Sequence, residues 1–150
     1  MKKPFLAALL SAFLVGSLTP SMAHEPGTYE SPIVEKRVKR FKQAGADIQA
    51  VFKKHLPKSD FEAIEEAALR MAAWGEEMPD AFPVGSTSVG VKSALWTNFP
   101  DFKMKAAQHV AAARQLKAVA GSKDPKKVAE AAKRVGGTCK SCHQSYRIKH

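Results

Sequence analysis

The sequence predicts an all-α protein, an antiparallel four-helix bundle, and two observations support this prediction. Four segments repeat apolar residues at spacings of three and four, which is the period of an amphipathic helix. Alanine is abundant and runs of β-branched residues are short, so the composition favours helix over sheet. The chain has 150 residues, of which 25% are charged, a length that suits one domain preceded by a targeting segment.

The first 23 residues have the order of a secretory signal peptide. A cationic start at Lys2 and Lys3 precedes an apolar run over residues 5–18, and small residues precede a cleavage site after Ala23. The apolar run is shorter than the roughly 20 residues of a transmembrane helix. We therefore expect cleavage after Ala23, export to the periplasm, and a mature domain over residues 24–150.

The net charge excludes little by itself. The formal charge of +10 falls to +8 when Lys2 and Lys3 leave with the signal peptide. The other basic residues spread along the whole chain and alternate with acids in places, which is typical of a solvated surface. Because export also argues against it, we expect no nucleic-acid partner, and no membrane association after cleavage. A redox partner protein is compatible with the charge, and nothing in the sequence identifies it.

The first two helices follow from their caps and apolar spacing. Helix one is predicted to begin at Ser31 and Pro32 and to end near Pro57. Helix two is predicted to open with a capping box from Ser59 to Glu62 and to stop at Pro79. The inner positions are Val34, Val38, Phe41, Gly45, Ile48 and Phe52 in helix one, and Phe61, Ile64, Ala68, Met71, Gly75 and Met78 in helix two.

The second half of the chain contains the other two long helices. A loop of Gly, Pro, Ser and Thr is expected over residues 79–90, followed by a short helical turn over residues 91–96. The third helix starts around Asn98 and ends at Gly121, and the fourth starts at Asp124 and Pro125. Their inner positions are Phe99, Phe102, Ala106, His109, Ala113, Leu116 and Ala120, then Val128, Ala132, Val135, Cys139, Cys142 and Tyr146. The many small residues on the inner faces leave space in the core that a bound group can fill.

Residues 139–143 form a C-x-x-C-H motif, the attachment signature of c-type haem. Cys139, Cys142 and His143 project from one helix face, because residues three and four apart share a face. The two thiols can form thioethers to the two vinyl groups of the porphyrin, while His143 lies under the iron. Gly136 and Gly137 remove side-chain bulk where the flat ring lies close to the backbone. The motif therefore predicts one covalent haem c per chain, with His143 as the metal ligand.

Other uses of the two cysteines fit the sequence less well. A thioredoxin-like dithiol follows a strand and usually lies at a helix N-terminus, whereas this motif comes late in a helix. A disulfide between cysteines three apart in one helix would be strained and would join no distant segments. A zinc site needs four ligands, and only three cluster here.

The second axial ligand determines the function of such a haem. The candidates are Met71, Met78, Met104 and His109. His109 is the strongest of them, because it lies on the inner face of the third helix, although a lone inner histidine is more often a satisfied core residue. Ligation by His109 or a Met would give a six-coordinate, low-spin electron carrier. Without such a ligand the iron stays open to small molecules.

These motifs resemble those of the cytochrome c′ family, the exported, haem-bearing four-helix bundles of bacteria. The resemblance covers essentially the whole mature chain, and an attachment site near the C-terminus is distinctive. Its motifs are Arg37-x-x-x-Phe41, Phe82-Pro-x-Gly85-Ser, Leu95-Trp96-x-Asn98 with Phe102, and Gly136-Gly-Thr-Cys-Lys-Ser-Cys-His-x-x-Tyr146-Arg147.

The resemblance implies a pentacoordinate, high-spin iron. Phe41 occupies the position over the open iron face, where low-spin relatives place a ligating Met on the first helix. Helix one of this chain contains no Met. By the same resemblance Arg37 is expected to pair with a haem propionate, the alternative being a plain surface arginine. The family often has Gln after this arginine; here Val38 follows, so no haem contact is expected at that position.

The resemblance also assigns residues around the haem. Arg147 is expected near the proximal face, where it affects the basicity of His143 or ligand access. Phe82 and Trp96, together with Phe99, are expected to wall the haem, and Tyr146 belongs to the attachment motif and faces inward.

The expected function is ligand binding rather than catalysis. We expect a periplasmic haem protein that binds small diatomic gases, nitric oxide or carbon monoxide, and can transfer single electrons. Phe41 offers no hydrogen bond to bound dioxygen, so oxygen carriage is disfavoured. No distal His/Arg pair for O–O cleavage is recognisable, so the chain is not expected to be an enzyme. The resemblance implies a homodimer through the first two helices, for which Val51 is the candidate contact.

Overall fold

The computed structural model describes residues 29–148, which form five α-helices. Helix α1 spans Pro32–Ala50, α2 spans Phe61–Glu77, α3 spans Ala94–Thr97, α4 spans Phe99–Ala120 and α5 spans Pro125–Tyr146. The four long helices form a four-helix bundle, and α3 is a single turn in the long connection between α2 and α4. This part of the chain has no strand, and one isolated bridge joins Val91 to Arg147. The all-α prediction is confirmed, and the signal peptide predicted over residues 1–23 lies outside the described residues.

Short polar side chains explain where the helices begin. Ser31 accepts a hydrogen bond from the backbone N–H of Val34 and caps α1. Asp124 accepts from the N–H groups of Lys126 and Lys127 and caps α5. None of the helices within residues 29–148 is both long and apolar enough to cross a bilayer.

The predicted capping box at Ser59 is wrong by one residue. A 3-10 turn over Leu56–Lys58 ends at Ser59, whose φ of 53° lies in the left-handed region. Ser59 is thereby used to close this turn, and the adjacent Asp60 accepts the hydrogen bond from the N–H of Ala63 that caps α2. The second carboxylate oxygen of Asp60 also contacts Nδ1 of His55 at 3.0 Å.

The inner face of α1 differs from the prediction. Starting from Val34, residues spaced three and four apart can be chosen along either of two neighbouring sides of the helix. The side that is buried contains Arg37 and Val51. Val51 is fully buried, whereas Phe52 is 38% exposed. The assignment of Phe52 to the core and of Val51 to a dimer surface is therefore wrong. The charge of Arg37 suggested an outward position, but this side chain finds its hydrogen-bond acceptors inside the molecule.

Ion pairs align α1 antiparallel to α2. The buried carboxylate of Asp47 accepts hydrogen bonds from Nε and Nη2 of Arg70, at 3.2 and 2.9 Å. Two turns away Nη2 of Arg40 donates to Glu77 at 2.7 Å. Because the lower residue number on α1 pairs with the higher one on α2, the two helices run in opposite directions.

The core divides into an aliphatic end and an aromatic end. The aliphatic end contains Ile64, Met71, Leu116, Val128 and Val135 among others. The aromatic end, called the aromatic cluster below, consists of Trp74, Met78, Phe82, Leu95, Phe102, Ala106 and Tyr146, with Phe41 and Cys142 packed against it. Helix α4 packs closely along α2 and α5, whereas α1 approaches α5 at only a few positions. The seam between α1 and α5 is therefore the least tightly closed one in the bundle.

Candidate functional site

The three residues of the attachment motif lie near the end of α5. Cys139 and Cys142 are both free and half-buried, and His143 is exposed. The helix continues without interruption from Pro125 to Tyr146, so the spacings of three and four residues bring all three side chains to one face. The structure thus brings these predicted residues together beside the aromatic cluster.

The electrostatic environment suits the chemistry of attachment and ligation. Burial raises the pKa of Cys142 to about 11 and also raises the pKa of Cys139. Both thiols are therefore protonated at neutral pH, and addition of an S–H group across a vinyl group gives a thioether. Burial lowers the pKa of His143, and the positive charge of Arg147 lowers it further. A neutral imidazole has the lone pair that a metal requires.

Two glycines leave the backbone just before the motif uncrowded. A Cβ atom built at Gly136 or Gly137 would meet no heavy atom within 4 Å. Gly136 lies three residues before Cys139 and shares its helix face. Gly137, in contrast, is exposed to solvent. Two thiols and an imidazole on one helix face, next to open space and aromatic rings, fit haem c.

Within residues 29–148, no group of three or more His, Cys, Asp and Glu side chains is arranged to hold a metal ion by itself. A zinc site at Cys139 and Cys142 therefore finds no complete ligand set in this part of the chain.

A row of aromatic rings extends from α1 to α5. Phe41 meets Trp74 at right angles with ring centroids 5.0 Å apart, and it lies 6.2 Å from Phe82. Phe82 contacts Phe102 at 5.0 Å, and Phe102 contacts Tyr146 at 5.7 Å. These edge-to-face contacts hold the rings in fixed orientations. Phe82 and Tyr146 are therefore in one cluster, and Phe41 and the predicted wall residues Trp96 and Phe99 pack against it.

Two hydrogen-bonded aromatic residues fix the edges of this cluster. Nε1 of Trp96 donates to the carbonyl groups of Phe82 and Pro83, at 3.2 and 3.1 Å. The hydroxyl of Tyr146 donates to the carboxylate of Asp101. Burial and this hydrogen bond raise the pKa of Tyr146 to about 12. Trp96 thereby ties the loop after α2 to α3, and Tyr146 ties the end of α5 to α4.

Arg37 has a role that the sequence did not predict. Its side chain is 1% exposed, so the alternative of a plain surface arginine is wrong. Its terminal nitrogens donate four hydrogen bonds, to the carbonyl of Ala81, to the hydroxyl and carbonyl of Ser86, and to the hydroxyl of Ser88. The guanidinium also lies 4.4 Å from the ring centroid of Phe82. Arg37 therefore holds the loop over residues 79–90 on the aromatic cluster, and its contact with a propionate stays a prediction.

His109 is a hydrogen-bonded core residue. Its Nδ1 lies 2.9 Å from the hydroxyl of Thr138, which in turn lies 2.7 Å from the carbonyl of Val135. Burial lowers the pKa of His109, although the backbone of Met71 partly opposes this shift. These contacts hold the imidazole ring in the core, against α5.

The methionine candidates differ in their surroundings. Met71 lies in the aliphatic end of the core, and Met104 is about half exposed. Met78 is buried in the aromatic cluster, the part of the core on which Cys142 packs. Of the three methionine candidates, Met78 is therefore the one that shares a cluster with a residue of the attachment motif.

Trp74 is a further candidate site residue, and the apolar pattern of the sequence did not predict it. It is 2% exposed, it contacts Phe41, and its Nε1 has no hydrogen-bond partner among the described residues. Trp74 lies three residues after Met71 and four before Met78. It therefore fits the helical repeat of inner positions as well as Gly75 does. A tryptophan in an alanine-rich helix was the signal that could have revealed it.

A four-helix bundle with a C-x-x-C-H motif near the end of its last helix, next to open space and an aromatic cluster, defines a c-type cytochrome. A sequence profile of the family described as Cytochrome C′ matches residues 22–147. The chain belongs to the cytochrome c′ family, and its cofactor is covalently bound haem c.

Individual relatives agree with this assignment. Cytochrome c-556 of Agrobacterium fabrum is 35% identical over 147 residues, covering 96% of this chain and 97% of the relative. Cytochrome c′ of Pararhodospirillum photometricum is 32% identical, covering 76% of this chain and 94% of the relative. The structure of a cytochrome c′ with an unusual ligand-controlled dimer dissociation aligns with a TM-score of 0.73 and 27% identity, covering 83% of this chain and all of that one.

Proposed function

We propose that this chain is an exported haem protein that binds small diatomic gases at an open iron face and can transfer single electrons. Haem c supplies an iron that binds such gases and changes its oxidation state by one electron. In this proposal residues 1–23 are a signal peptide cleaved after Ala23, the mature domain acts in the periplasm, and no catalytic turnover takes place.

Each residue of the attachment motif has one role in this proposal. Cys139 and Cys142 fix the porphyrin to α5 through two thioether bonds. His143 holds the iron on the proximal side. Arg147 follows His143 by one helical turn, and its backbone N–H donates to the carbonyl of His143 at 3.1 Å. Its positive charge keeps the imidazole a weaker base, which favours a labile bond to the iron.

The observation that carries the proposal is the position of Phe41. Its ring is on α1, packed against the same aromatic cluster as Cys142, and Trp74 holds it edge-to-face. A phenyl ring has no donor atom for iron, and it crowds the space available to large ligands. Phe41 offers no hydrogen bond that would favour dioxygen, so nitric oxide and carbon monoxide are the ligands proposed.

A second candidate function is a six-coordinate electron carrier. His109 is a poor ligand for this purpose because its ring already has two protein partners, the hydroxyl of Thr138 at Nδ1 and the backbone of Met71. Met78 is the better one, because its thioether is buried in the aromatic cluster. The relatives named cytochrome c-556 are compatible with an electron carrier.

Absorption spectra of the purified, exported holoprotein test the proposal. We expect high-spin spectra in both oxidation states at neutral pH, and no change of spin state in Met78→Leu or His109→Gln. A low-spin spectrum that becomes high-spin in Met78→Leu would establish the electron-carrier alternative. A protein without covalent haem would contradict both.

We also propose that two copies of the chain associate through the first two long helices. Phe52 follows α1, Leu69 lies on α2, and both are large apolar side chains exposed to solvent. The related structure with ligand-controlled dimer dissociation is compatible with such an assembly. In that arrangement Phe52 and Leu69 replace Val51 as the candidate contacts.

A further inference from the structure

The indole N–H of Trp74 is a buried donor without an acceptor. The side chain is almost completely buried, and Nε1 contacts no hydrogen-bond acceptor within residues 29–148. Trp96 gives the comparison, because its Nε1 has two carbonyl acceptors. Since buried N–H groups in native proteins are nearly always paired, an unpaired one indicates a partner that is not part of the protein chain.

Trp74 lies where the cofactor is expected. Its ring belongs to the aromatic cluster on which Cys142 packs. The ring of Phe41, on α1, meets it edge-to-face with centroids 5.0 Å apart. The unpaired donor is therefore in the same cluster as one of the two thiols that would hold the haem.

A cation accompanies this donor. The guanidinium of Arg40 lies 5.6 Å from the centroid of the Trp74 ring, and Nε of Arg40 is likewise buried without an acceptor. A guanidinium over an indole face draws electron density from the ring, and this strengthens the N–H group as a donor. Glu77 balances part of the charge from the solvent side, at 2.7 Å from Nη2 of Arg40.

We infer that the indole N–H of Trp74 donates a hydrogen bond to a carboxylate of the bound haem, assisted by the charge of Arg40. This inference rests on the proposed attachment of haem at Cys139 and Cys142. A carboxylate is a far stronger acceptor than a neutral diatomic gas, and it is the group that a neighbouring guanidinium favours. Arg37, the residue first expected to serve this group, already uses its terminal nitrogens to hold Ala81, Ser86 and Ser88.

The test compares two conservative variants of the holoprotein. Trp74→Phe keeps a large aromatic ring and removes the donor. Trp96→Phe is the matched control, since it removes an indole N–H whose acceptors are backbone carbonyl groups of Phe82 and Pro83. Both are measured by resonance Raman spectroscopy of the propionate bending modes and by the midpoint potential as a function of pH.

We expect Trp74→Phe alone to shift the propionate bending modes and to lower the midpoint potential, because an unpaired carboxylate stabilises the oxidised iron. The pH at which the potential changes slope should rise, because loss of the donor makes the carboxylate harder to ionise. Trp74→Phe should retain full covalent haem content and carbon monoxide binding. A wild-type protein that lacks covalent haem or does not bind carbon monoxide would instead contradict the proposed function.

Three results would overturn the inference. Unchanged propionate modes and potential in Trp74→Phe would mean that the indole N–H does not reach a carboxylate. A shift of the C–O stretching frequency of the carbon monoxide adduct, with unchanged propionate modes, would place the donor beside the gas ligand instead. If Trp74→Phe does not fold, Arg40→Gln should lower the midpoint potential in the same direction by a smaller amount. An unchanged midpoint potential in Arg40→Gln would contradict the inference.

Discussion

The guanidinium of Arg37 donates to both the hydroxyl and the carbonyl of Ser86, 49 residues further along the chain. This contact joins α1 to the loop over residues 79–90, a segment without a helix of its own after Ala81. Because that loop contains Phe82, which packs on Phe41, the arginine also determines the position of one wall of the proposed haem site.

Substitution of Arg37 by Lys should destabilise the protein and loosen this loop. A lysine cannot reproduce the four hydrogen bonds of the planar guanidinium, and the partly buried carbonyl groups of Ala81 and Ser86 lose donors. We expect the free energy of unfolding to fall by about 2–4 kcal/mol in denaturant titrations. Hydrogen exchange should increase at Ser86 and Ser88.

The matched control is Arg114→Lys, which alters an exposed ion pair with Glu76. This change should alter the free energy of unfolding by less than about 1 kcal/mol. Equal effects of the two substitutions would contradict a clamping role for Arg37.

Substitution of Gly136 by Leu should reduce covalent haem attachment. The side chain would occupy the open space on the face that Gly136 shares with Cys139, and that space is the one proposed for the porphyrin. Gly137→Leu is the control, because position 137 is exposed and points away from that face. Mass spectrometry should show clearly less covalent haem in Gly136→Leu than in Gly137→Leu. Equal haem content would show that the porphyrin does not lie along Gly136.

Truncation of Phe41 should speed ligand binding. Phe41→Ala removes the ring proposed to cover the iron, and a barrier lower by about 1.4 kcal/mol corresponds to a tenfold faster association of carbon monoxide. Flash photolysis measures this rate. Phe52→Ala, which removes an exposed phenylalanine next to α1, should leave it unchanged. If Phe41→Ala has the association rate of the wild type, the ring does not cover the iron.

The buried imidazole of His109 should make stability depend on pH. Burial lowers its pKa in the folded state below the ordinary 6.5, so the unfolded chain takes up the proton at a higher pH than the folded one. The contribution of His109 is therefore complete above about pH 6.5 and is lost as the pH falls towards the folded-state pKa. The free energy of unfolding should decrease less between pH 7.5 and 5.5 in His109→Gln than in the wild type, as measured by denaturant titration. Identical pH dependences would show that His109 does not resist protonation.

The proposed dimer makes a simple prediction. Leu69→Glu places a charge on an exposed apolar position of α2 and should shift the protein to a monomer in sedimentation experiments. Val84→Glu is the control, since Val84 is even more exposed but lies in the loop after α2. A dimer that persists in Leu69→Glu would exclude this helix as the interface.

The parts of the fold that were predictable from the sequence rest on local chemistry. The helix starts at Ser31 and Asp124 follow from side chains that cap the next few residues. The attachment motif was equally local, because Cys139, Cys142 and His143 are close together in the chain and any helix brings them to one face.

The errors involve partners that are distant in the sequence. Arg37 faces inward only because acceptors 44 to 51 residues later surround its guanidinium. This choice decides which side of α1 is buried, and hence that Val51 is inside and Phe52 outside. Trp74 was overlooked because apolar spacing alone does not distinguish it from the adjacent Gly75.

The central claim is that the iron above His143 has no second protein ligand. Addition of carbon monoxide to the reduced holoprotein tests it most directly, by the change in the absorption spectrum. An iron without a second protein ligand should give a high-spin spectrum that is converted completely and reversibly to that of the carbon monoxide adduct. A sharp low-spin spectrum that does not respond to carbon monoxide would contradict it.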